Sequence, residues 1–178
     1  MTDNTGHGPH PTPPSIQSHA PAGYVCPFCG LVNGDVADPN NRCELSDVIY
    51  QDDELIVFTA ADGFGPHPGH VMICPAEHYE ALYHLPDRIL MRIALMVREV
   101  AFAMKRAWNP EGISTRQHNE PSGNQHVWHY HLHVFARYAD DMLYRQLRQP
   151  VDAAVRAEIA QDLHATPTAA YTFLPDQN

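Results

Sequence analysis

Between Asp87 and Trp108 the apolar residues Ile89, Ile93, Met96, Val97, Val100 and Met104 recur at steps of three and four. That spacing keeps one face of the chain apolar and predicts a single long amphipathic helix. Asn109-Pro110 closes it, because proline cannot continue the helical hydrogen-bond ladder. Elsewhere the period is two. Val48 to Gln51 and Leu55 to Thr59 are short β-rich runs around the acidic pair Asp52-Asp53, and predict a hairpin. Further strands are expected at His70 to Cys74, ended by Pro75, at Gly112 to Gln117 and at Trp128 to Ala136, with a short helix at Ala153 to Leu163. Strands, one long helix, then strands again do not make a regular alternation of βαβ units. The expected fold class is α+β, an antiparallel sheet with the long helix packed across it.

The last of those strands carries the most specific chemistry. His129, His131 and His133 alternate with Tyr130, Leu132 and Val134, and residues two apart on a strand share a face. One buried histidine is ordinary, but a row of three is satisfied only by metal, by phosphate or by one another. The middle position suits a nucleophile, which must be neutral at the attacking nitrogen with its other nitrogen held as a donor by a fixed acceptor.

Composition narrows the partners. With 21 Asp and Glu against 11 Lys and Arg, the chain is poorly suited to gripping a nucleic-acid polymer, while a single nucleotide stays open. No apolar run reaches the length of a membrane span and the amino terminus lacks a secretory profile, so no membrane association and a cytoplasmic location are expected. Four irregularly spaced cysteines favour a reducing compartment with a metal site over a disulfide scaffold. Residues 1–22, with five prolines and three histidines, read as a disordered tail with incidental histidines. Residues 23–140 then form one domain, and 141–178 an extension carrying the short helix.

Three ordered segments resemble the histidine triad family of nucleotide hydrolases and transferases. His129-Tyr130-His131-Leu132-His133-Val134-Phe135 matches its alternating signature, and Gly69 to His78 is similar to its GHxLVIPKxH segment. Asn119 to Trp128 leads into the triad as the family's NxGxxAGQxVxH does. The resemblance implies the same α+β fold and a homodimer in which long helices and sheets pack across a twofold axis. Met91, Met96 and Met104 could serve that interface or simply fill the core. It also implies that His131 attacks the α-phosphorus of a purine nucleotide or dinucleotide, forming a nucleotidyl-histidine that water then hydrolyses. His133 would donate to phosphate oxygens or orient His131, and His70 would support the site from behind. Asn119 and Gln125 would position phosphate through their amides, or else serve turns. His126 stands where the family often has a serine that donates to the leaving group, and it can act as a general acid. Asp62, eight residues before His70, matches an acid that binds both ribose hydroxyls, an Asp-Gly turn with Gly63 being equally open. Nucleoside phosphoramidates or dinucleoside polyphosphates are the implied substrates, and a zinc-stabilised dimeric nucleotide-binding module with little turnover is the alternative.

Cys26-Pro27-Phe28-Cys29 supplies two thiolates across a tight turn, a pair suited to tetrahedral zinc. The resemblance completes a structural zinc site with His78 and His129. Cys43 is an alternative ligand, and Cys74 reads as a buried thiol. The same tetrapeptide also looks like a glutaredoxin redox motif, which needs a strand before it and a helix after it. The Pro-rich tail, Gly30 and Gly34 argue for zinc.

Overall fold

The computed structural model describes residues 17–38, 41–64 and 69–164. In chain order the elements are α1 (Pro27–Val32), β1 (Val48–Gln51), β2 (Leu55–Thr59), β3 (Asp62–Phe64), β4 (His70–Pro75), α2 (Asp87–Trp108), β5 (Gly112–Gln117), β6 (Leu132–Arg137), β7 (Arg148–Pro150) and α3 (Ala153–His164). Five strands form one antiparallel sheet in the order β1-β2-β4-β6-β5, while β3 and β7 pair separately. The α+β expectation holds, with the long helix at its predicted bounds. Among the described residues no helix is long and apolar enough to cross a membrane.

The alternation along each strand divides two layers. Leu55 and Val57 of β2, Val71 and Ile73 of β4 and Val134 and Ala136 of β6 pack against Ile89, Ile93, Met96, Val100 and Met104 of α2. Ile56, Phe58 and Cys74 point the other way and meet Phe28 and Leu31 of α1. His133 and Phe135 therefore face away from the long helix. Asp87 in the first turn of α2, and Lys105 and Arg106 in its last, complement the helix dipole, and Asn109 ends it in the left-handed conformation at φ 48°. Met96 and Met104 are buried core residues, which removes them from any interface, whereas Met91 is 61% exposed.

Strand β6 begins at Leu132 rather than at Trp128. Strand β5 runs out opposite Leu132, and the pairing with β4 also ends there although β4 itself continues to Pro75. Upstream the amides take other partners: Trp128 N–H donates to the Tyr24 hydroxyl and Tyr130 N–H to the Tyr79 carbonyl. The alternation of faces nevertheless persists, with Tyr130 in the core of the α2 layer. Of the expected disordered tail, residues 1–16 lie outside the described residues. Ser18 Oγ and the His19 amide donate to the Glu80 carboxylate.

Helix α3 is locked to the turn before β1 by a buried ion pair. Arg156 Nε lies 3.0 Å from both carboxylate oxygens of Asp47, and its remaining nitrogens donate to the Val151 and Arg42 carbonyls. Removing one partner strands the other charge in the interior. Arg156→Ala is therefore expected to lower the free energy of unfolding by about 3–5 kcal/mol, measured by urea denaturation. A loss below about 1 kcal/mol, the ceiling for an exposed pair, would show that this contact does not anchor α3.

Candidate active site

On the sheet face opposite α2 a cavity of about 540 Å³ is lined by His70, His118, His126, His131 and His133, with Phe28, Met72 and Val127 among its apolar walls. His131 is buried, and its Nδ1 lies 2.7 Å from the His129 carbonyl oxygen. A carbonyl only accepts, so the proton is on Nδ1 and the Nε2 lone pair is free. Burial pushes the His131 pKa down to about 4; the carbonyl bond opposes this, and His118 and His126 add to it. The imidazole is thus a neutral base near neutral pH, the state a nucleophile requires.

A second chain of hydrogen bonds fixes His133. The Asp62 carbonyl accepts from His70 Nδ1 at 2.7 Å, leaving His70 Nε2 to accept from His133 Nδ1, also at 2.7 Å. His70 is held at a pKa of about 4 by burial, against the effect of the Asp62 carbonyl. Burial first, then His70 and His131, lower His133 as well. Neutral His133 consequently presents a lone pair at Nε2. The donor role expected of it would require a further proton on Nε2.

Asp62 lies in β3, where Asp62 pairs with Pro150 and Gly63 with Gln149, so it is not in an Asp-Gly turn. Its carboxylate lines the cavity but is engaged by Arg42 through two bonds of 2.6 and 2.9 Å, with Arg148 at 3.5 Å. Burial raises its pKa, but the bonds and charge of Arg42, with help from Arg148, outweigh this and hold it below the usual carboxylate range.

Gln125 and Asn119 are not brought to the cavity. The Gln125 amide is buried, donates to the Glu80 and Val127 carbonyls and accepts from Glu120 N–H, so its bonding capacity is spent on the loop backbone. Asn119 accepts from Leu82 N–H and exchanges bonds with the Gln117 amide. His118 and Asn124 line the cavity instead. Spacing held the signal: the motif places its amide residue seven positions before the glutamine, and seven before Gln125 is His118. His118 Nδ1 lies 2.7 Å from the Gly123 carbonyl, which leaves its Nε2 as the acceptor. His126 is exposed at the rim, with Nε2 3.2 Å from Asn124 Oδ1.

Behind this cavity Cys26, Cys29, His78 and His129 each offer one ligand atom, all within 4.8 Å of one another. Cys26 Sγ lies 3.3 Å from His129 Nδ1, and Cys29 Sγ 3.2 Å from His78 Nδ1. His129 Nε2 donates to the Pro75 carbonyl at 3.0 Å, which turns the Nδ1 lone pair toward the sulfurs. Burial and the neighbouring Cys26 push the Cys29 thiol up to about 12, a cost a divalent cation relieves. Cys43 is outside this group and lines the cavity, with burial raising its thiol to about 11. A short helix, α1, does follow Cys26, which caps it by accepting from Cys29 N–H. Gly30 fits inside it because a Cβ there would sit 2.5 Å from the Asp35 carbonyl oxygen.

A family model of the HIT domain matches residues 42–140, more than half of the chain. The protein belongs to the HIT domain family. This HIT protein is 28% identical to Protein hit of Bacillus subtilis over 113 residues, 64% of this chain and 71% of that one. It is 23% identical to the adenylylsulfatase HINT3 of Arabidopsis thaliana over 119 residues, 67% of this chain and 55% of the plant protein. Its fold superposes on a zinc-bound histidine triad family protein from Mycobacterium smegmatis with a TM-score of 0.65 and 25% identity, covering 79% of this chain and 91% of the other. The family-model match ends before β7 and α3.

Proposed function

We propose that this HIT protein is a nucleotide hydrolase acting at the α-phosphate through a nucleotidyl-histidine. The observation that carries the reading is the pinned tautomer of His131, a neutral imidazole whose Nε2 is the free nitrogen at the cavity. Nε2 attacks the α-phosphorus, a nitrogen–phosphorus bond forms, and the bond to the leaving group breaks with its electron pair. His126 at the rim supplies the proton that the departing group needs. Water then attacks the same phosphorus, releases nucleoside monophosphate and restores His131. The likeness to an adenylylsulfatase supports a mixed-anhydride bond at a nucleoside 5′-phosphate. Nucleoside phosphoramidates, dinucleoside polyphosphates, adenylyl sulfate and nucleotide sugars should be offered to the purified protein. Release of nucleoside monophosphate from at least one of them, abolished in His131→Ala, is the expected result. Binding without release from any of them would favour a nucleotide-binding module.

Cys26, Cys29, His78 and His129 would hold a structural zinc. Two thiolates and two imidazoles suit its softness and tetrahedral preference, and leave no position open for water. When bound, zinc fixes α1 to the segment that carries His131.

The protein is also proposed to be a homodimer. Strand β5 is an open edge of the sheet, and α2 leaves Met91 and Phe102 exposed. Light scattering at micromolar concentration should give about twice the 20.0 kDa chain mass. A monomer of full activity would remove this claim.

A further inference from the structure

We propose that Arg42, Arg116 and Arg148 form a second anion subsite that selects nucleotides carrying a phosphate on the ribose. The inference rests on the reading of the cavity as a nucleotide site.

Charge within the cavity runs against that of the chain. The protein carries a net charge of −10, yet among the described residues the charged ones lining this cavity are three arginines and one carboxylate, Asp62. Asp62 is already held by both oxygens in the Arg42 fork, with Arg148 beside it. A ribose diol would have to displace a charge-assisted bidentate pair to reach it. What a ribose meets at that end is cationic.

Arg116 strengthens the case independently. It lies on β5 opposite His133, with its guanidinium stacked over the rings of Phe64, Phe135 and Tyr144 at 5.6, 5.4 and 4.6 Å. Its Nη2 is buried without a hydrogen-bond partner, and among the described residues no carboxylate pairs with it. Leaving a buried guanidinium nitrogen unsatisfied is costly, and an anion in the cavity removes the cost. Phe64 is two residues from Asp62 on β3 and pairs with Arg148 on β7, so the three guanidiniums gather around one end of the cavity. Tyr144 and Arg148 come from the segment after residue 140, where the match to the family model ends.

The test is calorimetric binding of adenosine 5′-monophosphate, adenosine 3′,5′-bisphosphate, adenosine 2′,5′-bisphosphate and ADP to the full chain. At least one ribose bisphosphate should bind about tenfold to a hundredfold more tightly than the monophosphate, as expected for new arginine–phosphate bonds, and ADP should gain much less. Arg148→Gln and Arg116→Met should each shrink that ratio toward one. Arg116→Lys, which keeps the charge but loses the fork, should shrink it partway, with an unchanged melting profile showing the fold intact. No gain for either bisphosphate, an equal gain for ADP, or a gain that survives both substitutions overturns the subsite. If adenosine monophosphate binds and the bisphosphates gain nothing, the subsite alone falls. If no nucleotide binds, the nucleotide reading falls and takes the subsite with it.

Discussion

Replacing His131 with alanine is expected to depress turnover by at least about 10³-fold while leaving nucleotide bound, because the substitution removes the attacking nitrogen and leaves the other cavity groups in place. His126→Ala should cost about 10² to 10⁴ in rate, and the cost should shrink for a substrate whose leaving group departs well without a proton. The two variants differ in what they accumulate. Rapid quenching with labelled nucleotide should trap acid-labile label on the wild type and on His126→Ala, but none on His131→Ala. Label on the last variant, or hydrolysis by it at the wild-type rate, would mean that another group attacks. His118 is then the next candidate, since its Nδ1 is also held by a carbonyl and its Nε2 is likewise free.

Much of this site was legible before the structure because its residues obey short-range periodicity. His129, His131 and His133 needed only the alternation of a strand, and α2 only the three- and four-residue spacing of its apolar face. Tertiary partners were another matter. The backbone amides that divert residues 128–131 from the sheet pair with Tyr24 and Tyr79, remote in sequence, so the strand begins four residues later than the alternation predicts. Gln125 carries a residue type suited to phosphate, but a loop that turns at Glu120 and Asn124, both at positive φ, uses its amide to satisfy its own backbone. Strands β3 and β7 have three residues each, too few to show a period. Arg148 could not be assigned to the site from sequence, since only that pairing brings it beside Asp62.

Cys26→Ser is expected to lose metal and most of its stability, because the candidate ligands Cys26, Cys29, His78 and His129 tie the amino-terminal segment to the backbone that carries His131. A structural zinc site can be worth on the order of 10 kcal/mol, comparable to the whole stability of a domain, so losing one thiolate should leave the amino-terminal segment undocked. The consequence reaches the chemistry through two contacts. His129 supplies both a ligand nitrogen and the carbonyl that fixes the His131 tautomer. Phe28, carried by α1, packs edge-on against His131 at 5.3 Å and against His129 at 5.9 Å. Protein purified without chelator should contain one zinc per chain, and chelation should lower the melting temperature and hydrolysis together, with both restored by added zinc. Cys43→Ser should keep full zinc, since Cys43 lies outside the cluster. Far less than one zinc per chain in untreated protein, or a Cys26→Ser variant that retains both its zinc and its melting temperature, would show that these four residues meet for some reason other than metal.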